Sequence, residues 1–166
     1  MAWDNIDFAY HFYFGNGASK TLSEIGLLEA VKAESNKLAI DRAGGFKDQI
    51  RNKAREVKEG AVVLKFENSY SFSNVKFALG SGVLKGDFTG TSTSVLEGKY
   101  FVSGKISIAY SDRFTDPISV IEYLYGSSDS PDAPDWVKKI GELGGTAYDT
   151  TDQWQDDFSS DVLLIT

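Results

Sequence analysis

The chain has 166 residues, no cysteine and a formal net charge of −7. That length suits a single domain that buries its own core, and the missing thiols exclude disulfides, thiolate metal sites and a cysteine nucleophile. The acidic balance argues against nucleic acid as the main ligand, because phosphate contacts demand a dominant basic face.

The charge is unevenly spread. Residues 32–65 hold nine Lys/Arg against five Asp/Glu, whereas residues 111–166 hold three against twelve. An acidic C-terminal third suits a basic protein partner. No apolar run reaches the length of a membrane-spanning helix. The first residues, Met-Ala-Trp-Asp-Asn-Ile-Asp, are acidic where a signal peptide is basic. A soluble chain is expected, and any export address lies outside it.

In chain order, Ile6, Phe8, Tyr10, Phe12 and Phe14 alternate with other residues at a period of two, which predicts a strand over 5–14 with His11 on its far side. Thr21-Leu22-Ser23-Glu24 reads as a capping box, predicting a helix with Ile25, Leu28 and Val31 on one side. Gly44-Gly45 precedes a second amphipathic helix, 46–58, with a stripe of Phe46, Ile50, Ala54 and Val57. These two helices form a pair over 20–58.

Residues 61–111 change character. Val62, Leu64 and Phe66 alternate, then Val75, Phe77 and Leu79, then Leu84 and Phe88, then Tyr100, Val102, Ile106, Ile108 and Tyr110. Asn68-Ser69, Gly80-Ser81-Gly82 and Glu97-Gly98-Lys99 supply hairpin turns. Short connections imply an antiparallel meander, because parallel pairing needs a long crossover.

Beyond it lies an acidic helix and loop region, 112–166. Asp116-Pro117 predicts a capped helix to about residue 124, Pro134 another short helix, and Thr150-Thr151-Asp152 one more helical turn placing Trp154 and Phe158 inward. Val162–Ile165 suits a closing strand. The expected fold is a single α+β domain: an antiparallel meander of six or seven strands, two N-terminal amphipathic helices and short C-terminal helices.

The candidate site residues are few. His11 is the sole histidine, so a catalytic triad or multi-histidine metal site would need carboxylates for the rest. Asp112 and Asp116 bracket Arg113-Phe114-Thr115 where a strand leaves the sheet. Paired carboxylates there suit a divalent cation or acid–base work; helix capping by Asp116 and an ion pair to Arg113 are the plainer alternatives. Asp149, Asp152, Asp156, Asp157 and Asp161 lack calcium-loop spacing and read as a solvated face. Gly15-Asn16-Gly17-Ala18-Ser19-Lys20-Thr21 lacks the glycine that a phosphate loop places before its lysine. No G-x-S-x-G elbow occurs.

The stretches Gly98-Lys99-Tyr100-Phe101-Val102-Ser103-Gly104-Lys105-Ile106 and Asp112-Arg113-Phe114-Thr115-Asp116-Pro117 resemble the C-terminal killing modules of polymorphic toxins and bacteriocins, in particular the colicin M group, which hydrolyses the peptidoglycan precursor lipid II. In that resemblance Asp112 matches the family's first aspartate and Phe114 its tyrosine. Thr115 stands where the second aspartate belongs, and the following His-Arg pair is absent. The resemblance implies an exported toxin or effector of interbacterial antagonism, with a target or immunity protein as partner. A non-enzymatic binding module of immunity or adaptor type, and a metal-assisted hydrolase using Asp112 and Asp116, are the alternatives.

Overall fold

A computed structural model describes residues 2–164. Five helices, α1 (Asn5–Phe14), α2 (Leu28–Ser35), α3 (Phe46–Val57), α4 (Pro117–Tyr125) and α5 (Asp135–Lys138), accompany one sheet. Its strands are β1 (Lys20–Thr21), β2 (Gly60–Ser71), β3 (Ser81–Leu96), β4 (Lys99–Phe114) and β5 (Tyr148–Leu163), in the order β1-β5-β4-β3-β2. The α+β class and the mostly antiparallel sheet are as expected, with five strands rather than six or seven.

Cross-strand contacts give the register. Lys105, Ser107 and Arg113 of β4 meet Asp157, Gln155 and Asp149 of β5, residue numbers falling on one strand as they rise on the other. Lys65 and Glu67 of β2 meet Asp87 and Lys85 of β3 in the same sense. β1 runs parallel to its neighbour, pairing Lys20 with Thr150 and Thr21 with Thr151 of β5.

The chain divides into two compact units, one from residues 2–31, 71–82 and 111–152 and the other from 32–70, 83–110 and 153–164. In the first, α1 and α4 pack together around buried Phe8, Phe114, Val120, Ile121 and Tyr148. In the second, α3 buries Phe46, Ile50 and Ala54, the stripe its sequence predicts. Strand residues Val62, Leu84, Phe88, Val102, Ile106 and Ile108 join them in this core. The Phe46 and Phe66 rings lie 4.7 Å apart.

Several elements depart from expectation. Residues 5–14 form helix α1, not a strand. Aromatic and apolar residues fill nearly every position there, so the run satisfies a period of 3.6 as well as one of two. The Asp7 carboxylate accepts the Asp4 N–H at 2.8 Å, holding the first turn. The Thr21–Glu24 bonds form, each at 3.0 Å. Gly26, at φ +73°, ends that turn, so α2 begins at Leu28.

Asn68-Ser69 lies inside β2, and Val75–Leu79 is turn and a 3-10 helix (Phe77–Leu79) rather than strand. The Phe72 N–H reaches the Gly80 carbonyl at 2.6 Å, closing the β2–β3 connection later than expected. Residues 150–152 belong to β5 instead of capping a helix. Trp154 and Phe158 are buried as foreseen, because a spacing of four keeps one face in strand and helix alike. Val162 and Leu163 close β5; Ile165 lies outside the described residues.

The β3–β4 hairpin turns on Glu97-Gly98, as predicted. Within it Gly90 and Gly104 face the opposite backbone, and a Cβ at Gly104 would collide with the Thr89 carbonyl and the Phe88 ring. Gly104→Ala is expected to destabilise the fold by about 1–3 kcal/mol, measured as a lower denaturant midpoint. An unchanged midpoint would mean that the strands spread without cost.

Candidate functional site

The buried positions of β4 alternate: Val102, Ile106, Ile108, Tyr110 and Phe114 turn inward. Asp112 belongs to that inward series, between Tyr110 and Phe114. The β4–β5 register places it across from Thr150, which is 2% exposed, with Tyr148 diagonal to it. The Phe114 ring lies 6.1 Å from Phe8, 6.1 Å from Phe12 and 5.5 Å from Tyr148. A carboxyl is thus held on the apolar side of a strand.

Loss of hydration is the main consequence. It raises the Asp112 carboxyl to about 7, against the lowering effect of a hydrogen bond from the Arg113 backbone and with a further upward push from the Asp149 charge. The Arg113 guanidinium cannot neutralise it. Successive side chains of a strand point to opposite faces, and Arg113 spends its charge on Asp149 at 3.0 Å. Tyr148 donates its hydroxyl to the Phe8 carbonyl at 2.8 Å. Burial, then the charges of Asp112 and Asp7, keep its phenol protonated far above the usual range.

Asp116 is the opposite case. It caps α4: one carboxylate oxygen accepts the Ser119 N–H at 3.0 Å and the other the Ser119 hydroxyl at 2.8 Å. These bonds hold Asp116 below the ordinary carboxylate range. Burial, then the Asp116 charge, raises the Tyr13 phenol. Asp112 and Asp116 both line a cavity of about 320 Å³ with Arg113, Thr115, Ser119 and Phe77. One carboxyl is therefore poised near neutrality and the other stays ionised, a division of roles that acid–base chemistry uses.

His11 sits on α1, on a helix rather than a strand, and is not among the residues lining this cavity. Its Nε2 lies 2.7 Å from the Ala18 carbonyl, which can only accept, so Nε2 carries a hydrogen. The ring stands edge-on to Tyr148 at 4.4 Å. A Cβ at Gly15 would occupy the same space as that ring. His11 is one residue removed from Asp112, through Tyr148.

Among the described residues, no group of three or more His, Asp or Glu converges to hold a metal ion. A divalent cation at Asp112 and Asp116 would have to draw Asp112 into its ionised form and share Asp116 with the helix cap. Tyr148 and Ser119 were not singled out in the sequence, and Asp149 was read there only as part of a solvated acidic face. Only Ser119 carried a local signal, three residues after a capping aspartate.

The Asp112 shift carries a stability consequence. Its folded value lies above the ordinary 3.8, so its contribution is whole in acid and is lost as pH rises through about 7. Asp112→Asn removes that loss while keeping an acceptor for the Arg113 N–H. The variant is expected to gain on the order of 1–2 kcal/mol over the parent between about pH 5 and about pH 8, discounted for partial solvent screening. Parallel stability curves for the two proteins would mean that Asp112 is not desolvated.

No family model and no curated protein matches the sequence. Among solved structures, a mutant of syringacin M from Pseudomonas syringae pv. tomato DC3000 is similar in fold, with a TM-score of 0.51 at 17% identity over 93% of this chain and 51% of that one. Pectocin M2 gives 0.49 at 13% identity over 98% and 56%. PaeM, a colicin M-like bacteriocin produced by Pseudomonas aeruginosa, gives 0.40 at 11% over 92% and 49%. The chain spans about half the length of the solved bacteriocin chains it matches.

Proposed function

We propose that this chain is the killing domain of a bacteriocin-type toxin, delivered by parts outside it, and that its chemistry is a hydrolysis run by Asp112 and Asp116. The observation that carries the reading is the pair itself: two carboxyls in one cavity whose surroundings drive their protonation apart. The fold shared with syringacin M supports the toxin class. The resemblance at Asp112–Pro117 makes a lipid-linked envelope precursor of the lipid II kind the first substrate to assay.

In the proposed step Asp116, ionised, takes a proton from the attacking water as the water oxygen bonds to the scissile centre. Asp112, neutral, gives its proton to the departing oxygen as that bond breaks. The two carboxyls end with exchanged protonation, and solvent resets them. The step slows as pH rises above about 7, where Asp112 loses its proton. The acidic region 111–166 offers a surface for a basic immunity or target protein.

The test is inducible expression in a bacterial host, directed to cytoplasm or to periplasm. The parent protein is expected to arrest growth in the periplasm, and Asp112→Ala, folded by its melting curve, is expected to relieve the arrest by two or more orders of magnitude in viable count, on the order of the general-acid contribution. Unimpaired growth with the parent protein in both compartments overturns the toxin reading. Equal killing by Asp112→Ala overturns the chemistry.

A further inference from the structure

The sheet ends in two unlike edges. Beside β1, the open side of β5 has two of its carbonyls taken up by other parts of the chain: the Leu22 N–H reaches the Thr151 carbonyl at 3.0 Å, and Arg55 Nε reaches the Leu163 carbonyl at 2.8 Å. The other edge is β2, twelve residues long, without proline. Among the described residues no loop or helix cap is bonded to its backbone. A long, straight, unpaired edge is a template for another strand.

The side chains specify which strand. On the outer face Lys65 of β2 meets Asp87 of β3 and Glu67 meets Lys85, both at 3.7 Å, while Phe66 between them turns to the core side opposite Gly86. An antiparallel neighbour thus matches β2 when it reads basic, any residue, acidic. β2 itself reads that way. The Phe66 ring leans over Gly86 and against Phe46, away from the free edge, and leaves the backbone open to approach.

We propose that the free edge of β2 is a self-association site, pairing antiparallel with β2 of a second copy about a two-fold axis at Phe66. Lys65 then lies between Asp87 and Glu67 of the second copy, and Glu67 between Lys85 and Lys65 of that copy. The match is self-complementary, as a two-fold interface requires. The charges set the register, and the main-chain bonds supply most of the affinity.

Sedimentation velocity on the full chain tests this. The parent protein is expected to form a concentration-dependent dimer that weakens with salt. K65E carries two acidic side chains on this edge and E67K two basic ones, so each alone is expected to self-associate about tenfold less or worse. Mixed in equal amounts they are expected to form a heterodimer of parental affinity, which also shows that both are folded. A parent protein that stays monomeric overturns the proposal, even if it captures an unrelated extended peptide. Undiminished self-association of either variant, or a mixture that stays monomeric, overturns it equally.

Discussion

The alternation of β4 does not stop where its apolar residues stop, and the candidate site depends on that continuity. Val102, Ile106, Ile108 and Tyr110 turn inward. The same period carries Asp112 to the inward side before Phe114 closes it. A carboxylate cannot stay charged cheaply in such a place, so the group shifts toward its neutral form. The period also denies it a partner, since it sends the adjacent Arg113 to the opposite face, where Asp149 takes the guanidinium. One geometric rule both buries the acid and removes the nearest base.

The pairing that holds β4 against β5 is written on the outer face as well. Lys105 with Asp157 at 2.6 Å and Arg113 with Asp149 at 3.0 Å are exposed pairs, each a small contribution to stability. Their value lies in register. A slip of one residue would turn every inward ring outward and would break both of these pairs. Acidic residues along β5 thus have structural work beyond solubility.

Much of this fold is legible in the sequence where the signal is local. Asp116-Pro117 opens α4, Phe46 to Val57 forms α3, and Glu97-Gly98 turns the β3–β4 hairpin, because each depends on neighbours a few residues apart. α1 was illegible because its aromatic residues crowd every face, leaving no polar phase to separate helix from strand. β5 was misread because Trp154 and Phe158 share a face in either structure. The site was half legible. Asp112 and Asp116 stand out as a pair, but reading Asp112 as the end of a strand hides that its place is interior. Tyr148 and the Phe8 carbonyl come from distant parts of the chain, and no local spacing reports their meeting.

The five residues from Asp112 to Asp116 show how one short segment holds two acids in opposite states. Asp112 is still on the strand, with Tyr110 and Phe114 flanking it on the apolar side. Asp116 has left the strand and stands at the start of α4, where the Ser119 N–H and hydroxyl favour negative charge. Thr115 between them is neutral. A third carboxylate at that position would line the same cavity and set one more like charge beside Asp112 and Asp116. Phe114 brings no hydroxyl, so its ring only deepens the desolvation of Asp112. Tyr148 of β5 brings a phenol to the same cluster: its ring lies 5.5 Å from that of Phe114, and its hydrogen is already given to the Phe8 carbonyl. That phenol is held in place and stays protonated, whereas the Asp112 carboxyl beside it exchanges its proton near neutral pH.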